Sequence, residues 1–187
     1  MNRKIVLRLL LLAVAVVALG IVLWGVLTPR KATVTAHSTS RSHVVGLQVG
    51  NMAPDFTLVT SDEKKIHLHD FRGQPVVILF SSTDCKSCQM QVSDTQRVYV
   101  SQLTAHKSFT MLGIDLDDTA ATIMHYDMQT HIAFPVLLTQ SAKVGELYQV
   151  TGTPTSVFID RDGVIRAGVE GEMDSTTLQR YLAQVSE

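Results

Sequence analysis

Two rhythms of apolar residues divide this chain. From Ile5 to Leu27 the sequence reads IVLRLLLLAVAVVALGIVLWGVL, broken by charge only at Arg8. A run of about 20 apolar residues is long enough to cross a bilayer as a helix. Arg8 near one end can snorkel to the headgroups, and Trp24 near the other suits the interfacial aromatic belt. A cleaved signal peptide would carry a shorter apolar region of about 7–15 residues. The small-residue sites Ala13-Val14-Ala15 and Ala18-Leu19-Gly20 both lie well inside the run. The pattern therefore predicts an uncleaved signal-anchor over residues 5–27. A short cytoplasmic tail, residues 1–4, precedes it. A Ser-, Thr- and His-rich flexible linker over 28–45 follows, in which His37 and His43 are read as solvated. Arg3, Lys4 and Arg8, which precede or open the span, against Arg30, Lys31 and Arg41 after it, give a slight preference for a cytoplasmic N-terminus and so for an exported C-terminal part.

Residues 46–187 change rhythm and read as one domain. Phe56–Val59 is short and β-prone, and Lys65–Leu68 alternates. Val76–Phe80 (VVILF) is continuously apolar after Gly73-Gln74-Pro75, which suits a strand buried on both faces. Cys88, Val92, Thr95, Tyr99 and Leu103 then fall at helical spacing, placing a helix start near Cys85. Phe109–Leu116 returns to strand character. Thr119–His131 reads as a helix through Ala120, Met124 and Met128. Pro135–Leu138 is a strand candidate, and Val144, Leu147 and Tyr148 mark a brief helix. Thr155–Ile159, the turn Arg161-Asp162-Gly163 and Val164–Val169 form a hairpin. A last helix carries Leu178, Tyr181, Leu182 and Val185, capped by Asp174 or Ser175. The order predicts an α/β sheet with helices on both faces.

A net charge of −1 over 187 residues gives no reason to expect nucleic acid as a partner. The only two cysteines, Cys85 and Cys88, stand as Cys-Lys-Ser-Cys between the buried strand and the helix. At a helix N-terminus the unpaired N–H groups and the macrodipole favour thiolate, the nucleophilic form. Cys85 is thus expected to attack, and Cys88, nearly one turn on, to resolve the mixed disulfide. Lys86 adds a nearby cation.

Other uses of the pair fit less well. A disulfide closing so small a loop would add roughly 2 kcal/mol as a structural brace. Structural zinc needs about four ligands, and no second Cys-x-x-Cys exists. No metal and no cofactor is therefore implied. Thr153-Pro154 precedes a strand, where a proline belongs because it cannot donate to the ladder. Taken alone, it reads as an ordinary trans proline ending a loop, although a cis bond would also fit.

These residues resemble the thioredoxin superfamily, in particular its membrane-anchored TlpA/ResA-like branch, over about Val49–Val185. The resemblance is carried by Gly50-Asn51-Met52-Ala53-Pro54-Asp55-Phe56, Phe71-Arg72-Gly73-Gln74-Pro75 and Cys85-Lys86-Ser87-Cys88. Tyr148-Gln149-Val150-Thr151-Gly152-Thr153-Pro154-Thr155 and Phe158-Ile159-Asp160-Arg161-Asp162-Gly163 complete it. It implies a thioredoxin-like fold: a central mixed sheet flanked by helices, an N-terminal hairpin extension and an inserted strand–helix unit. It also implies a cis Pro154 beside the redox-active Cys85–Cys88 disulfide, with the Thr153 backbone pairing with substrate. The function implied is reduction of disulfides in exported proteins, such as apocytochrome c, outside the bacterial cytoplasmic membrane. Electrons would come from a membrane-embedded thiol donor, and the chain would act as a monomer.

The chain departs from that pattern at three places. Asp84 stands where the family usually has Trp, Ser87 where it often has Pro, and Gln91 where many members have Glu. Because the resolving thiol must be deprotonated, Asp84 is a candidate base. Capping of the helix is its equally weighted alternative. Two rival functions remain. A Sco-like copper chaperone would use a wider Cys pair and a downstream His, but no His follows His131. A peroxiredoxin-like peroxidase would place a Pro where Ile78 stands and a Thr at Ser82.

Overall fold

The computed structural model describes residues 44–60, 63–105, 109–138 and 143–186. The expected tail, anchor and most of the linker lie outside the described residues. Among those described, no helix is long and apolar enough to cross a membrane.

The continuous apolar run becomes β3 (Val76–Ser81), and its neighbours assemble around it. The strands β1 (Thr57–Thr60), β2 (Lys65–His67), β4 (Thr110–Asp115), β5 (Val136–Leu138), β6 (Thr155–Ile159) and β7 (Ile165–Glu170) join β3 in one sheet. Its order is β2-β1-β5-β4-β3-β6-β7. β3 runs parallel to β4 and antiparallel to β6, so the sheet is mixed. The helices are α1 (Lys86–Thr104), α2 (Ala120–Thr130), the short α3 (Lys143–Leu147) and α4 (Ser175–Ser186). The expected hairpin extension is β1–β2, and α2–β5 is the inserted unit.

Alternation along each central strand sorts side chains to opposite faces. Val76, Ile78 and Phe80 of β3 join Leu112, Ile114, Val157, Phe56 and Tyr148 in one core. Val77 and Leu79 face the other way and meet Val92 and Val98 of α1 and Leu178, Leu182 and Val185 of α4. Burial on both faces explains why β3 shows no polar alternation.

Several boundaries differ from expectation for local reasons. Leu68 leaves the second strand for a turn of 3-10 helix, Leu68–Phe71. Met124 and Met128 are 50% and 66% exposed, so they are not the inner face of α2. Ile123 is the buried residue of that helix, with Tyr126 packed partly against the core. Asp174 rather than Ser175 caps α4, its Oδ1 accepting from the Thr177 N–H at 2.7 Å. The predicted turn holds. Gly163 has φ +80, and the Arg72 guanidinium occupies the place a side chain there would take.

Candidate functional site

β3 ends at Ser81, and Ser82–Asp84 carry the chain to the start of α1. The Cys85 N–H donates to the Ser82 carbonyl at 3.3 Å. Cys85 itself is the N-cap of α1, with extended backbone, its Sγ accepting from the Cys88 N–H at 3.1 Å. The Ser87 hydroxyl approaches the same sulfur at 3.2 Å. Two donors thus converge on Cys85 Sγ at the positive end of a 19-residue helix. This is an arrangement that stabilises negative charge on sulfur.

Cys85 and Cys88 are joined by a disulfide with their Cα atoms 5.1 Å apart. Cys85 is partly exposed, whereas Cys88 is 1% exposed. The segment before β6 closes the site from the other side. The Thr153–Pro154 bond is cis, not the trans form that the residues alone suggested. The Thr153 carbonyl oxygen lies 3.7 Å from Cys85 Sγ. Pro154 is buried, and its carbonyl accepts from the Gly171 N–H at 2.8 Å.

Not every expected residue takes part. Because the Cys85 sulfur occupies the capping position, Asp84 is not the N-cap, which corrects that alternative. Asp84 and Lys86 are both exposed, and neither side chain makes a hydrogen bond or ion pair among the described residues. Gln91 is fully buried. Its Oε1 accepts from the Met173 N–H at 2.7 Å and its Nε2 donates to Thr95 Oγ1 at 3.1 Å. The residue in the family's Glu position is therefore a brace between α1 and the segment before α4.

Sequence reasoning missed a pair of acids. Asp115, at the end of β4, pairs in register with Ser81 and is 4% exposed. Its Oδ1 accepts from the N–H groups of Asp117 (3.2 Å) and Asp118 (2.8 Å). Asp118 Oδ2 accepts from the Thr83 N–H at 2.8 Å and so holds the turn before Cys85. Burial, reinforced by the Asp118 charge, pushes the Asp115 carboxyl up to about 6, against the pull of its N–H partners. Burial also acts on Asp118, but the Thr83 contacts outweigh it and hold that group below the usual value. A carboxylate at the carboxyl end of a central strand is a signal the sequence offered, since such strand ends carry chemistry in α/β sheets.

The raised Asp115 value has a consequence for stability. The folded chain keeps a proton that the unfolded chain releases from pH 3.8 upward, so stability falls as pH rises from about 4 to about 6. Asp115→Asn should abolish that loss, worth about 3 kcal/mol. Denaturant unfolding of parent and variant at several pH values measures it. Equal slopes in the two chains would refute the assignment.

Comparison with known proteins follows the same lines. A sequence profile of the AhpC/TSA family matches residues 49–168. The thiol-disulfide oxidoreductase ResA of Bacillus thuringiensis subsp. konkukian is 29% identical over 140 residues, 75% of this chain and 80% of that protein. ResA of Geobacillus kaustophilus is 23% identical over 184 residues, 98% of this chain and 97% of that protein. Among solved structures, a thioredoxin-family thiol:disulfide interchange protein from Chlorobium tepidum TLS superposes with a TM-score of 0.65. It is 23% identical and covers 76% of this chain and 100% of its own, a likeness of fold.

Proposed function

The chain belongs to the AhpC/TSA family of the thioredoxin superfamily, and from that premise we propose that it is a thiol–disulfide oxidoreductase working through Cys85 and Cys88. One observation carries the reading: a partly exposed sulfur caps a helix, its disulfide partner is buried behind it, and a backbone carbonyl lies beside it. In the reduced form the Cys85 thiolate attacks a substrate disulfide and expels one substrate sulfur. Cys88 then attacks Cys85, releasing the second substrate sulfur and closing the enzyme's disulfide. Thr153 stands where an extended substrate segment would align.

The finer reading is that the substrates are disulfide-bearing exported proteins, apocytochrome c among them. The chain would be a monomer held in the bacterial cytoplasmic membrane by residues 5–27, with its domain outside. A membrane-embedded thiol donor would return it to the dithiol state. The apolar run and the ResA likeness support this. Ile78, where the peroxidase reading would place a Pro, is a fully buried core side chain of β3.

Cys88→Ser tests the reading directly. With no resolving thiol, the variant should retain partners on Cys85 as mixed disulfides that the parent chain does not accumulate. Non-reducing electrophoresis and mass spectrometry identify them. Capture of cytosolic proteins alone would refute the topology. Capture of nothing would refute the exchange cycle.

A further inference from the structure

In the cycle above Cys88 must lose a proton before it attacks, and among the described residues the exposed Asp84 has no bond that would bring it to that sulfur. The interior offers a different group. A cavity of about 20 Å³ lies under the first turns of α1, large enough for one water molecule. Cys88 and Asp115 both line it, together with Ser81 and Tyr126. The two reactive groups are 1% and 4% exposed, so proton traffic between them need not pass through bulk solvent. The position of Asp115 is fixed by β4, by its register against Ser81 and by the two N–H groups it accepts. Gly113, two residues earlier on the same face, also lines the space. A methyl group there would meet the Phe134 ring at 3.2 Å.

We infer that Asp115, acting through a water molecule in this cavity, takes the Cys88 proton when a mixed disulfide is resolved and returns it when the enzyme's own disulfide is opened. The inference rests on the dithiol reading and assigns its missing base. In resolution, the Cys88 S–H proton passes by way of water to the Asp115 carboxylate. The Cys88 thiolate attacks Cys85 Sγ, the Cys85–Cys88 bond forms and the bond from Cys85 to substrate breaks. The substrate sulfur departs with the electron pair and is protonated from solvent. Two electrons pass from the enzyme dithiol to the substrate disulfide. In the reverse direction protonated Asp115 delivers its proton to Cys88 as that sulfur leaves.

The groups facing Asp115 allow this. Asp118 faces it from the following loop, Cys88 from α1 and Tyr126 from α2. Burial raises the Tyr126 phenol, which therefore stays protonated at neutral pH. Asp117 contributes its N–H and keeps its side chain exposed. With its value pushed up to about 6 by burial and then by Asp118, the group is a base at neutral pH that is still readily reprotonated.

The test follows the two thiols separately in the full-length chain. Reduced protein is mixed rapidly with a chromogenic aromatic disulfide. One coloured thiolate is released as Cys85 attacks, and a second as Cys88 closes the internal disulfide. In Asp115→Asn the second release should slow at least about tenfold at neutral pH and lose its inflection near pH 6. The first should stay within about twofold of the parent. A second release with unchanged rate and pH profile would overturn the assignment. Asp118→Asn gives an independent check that keeps the Asp115 carboxyl. Its inflection should move to lower pH, because a like charge has been removed; an unmoved inflection would count against the proposal. Release of a single equivalent from the parent chain, with no internal disulfide formed, would instead refute the dithiol reading itself.

Discussion

Replacing Cys85 by Ser abolishes reduction of a protein disulfide such as that of insulin, by a factor on the order of 10³ or more, because the chain then holds no exposed nucleophilic sulfur. A serine hydroxyl does not ionise at working pH and has no sulfur with which to form a mixed disulfide. Cys88, 1% exposed behind the helix start, cannot stand in for it. The loss should occur without collapse of the fold. The Cys85–Cys88 bond closes a loop of sequence separation 3, and so small a loop limits unfolded-chain entropy by only about 2 kcal/mol. The variant should therefore unfold close to the reduced parent chain. Turbidity of reduced insulin and denaturant unfolding check the two halves. Activity above a tenth of the parent value would place the nucleophile elsewhere.

Phe80→Ala produces the largest expected loss of stability, about 3–5 kcal/mol. Phe80 is fully buried and ends the run of β3 that leads to the cysteine turn. Its ring lies 5.4 Å from that of Tyr148, whose hydroxyl donates to the Pro54 carbonyl at 2.7 Å. Truncation would leave a void between β3, the segment before β1 and the end of α3, where close neighbours relax only in part. A domain of this size should melt about 10 °C or more below the parent. Differential scanning calorimetry measures the shift. A fall under about 3 °C would mean that the core closes over the gap.

Much of the fold was legible because packing here follows sequence period. Val76–Phe80 is apolar at every position and follows a Gly-Gln-Pro turn, which suits a strand covered on both faces. The helix after Cys85 was readable from Cys88, Val92 and Thr95, all of which are buried. Met124 and Met128 share a face of α2 that stays exposed. Spacing of i, i+4 says that two residues share a face, but not that anything covers it. The Thr153–Pro154 geometry was legible only through the family resemblance, since no local residue preference demands a cis bond. Asp84 looked like a helix cap because aspartate favours that position. One residue later, the Cys85 sulfur fills it instead. Asp115 was legible as a carboxylate at a strand end but not as a buried one. It shares a cavity with Cys88 of α1 and Tyr126 of α2, residues whose proximity no local window displays.

The Gln91 brace bears on how this domain would behave in an acidifying surrounding. An amide carries no charge at any pH a cell meets, so the tie from α1 to the Met173 N–H holds equally in acid and in base. The sulfur-bearing end of the helix would keep its seat while the medium sours. What then slows is proton movement rather than placement, and neutralising the medium should restore full speed at once, with no refolding delay.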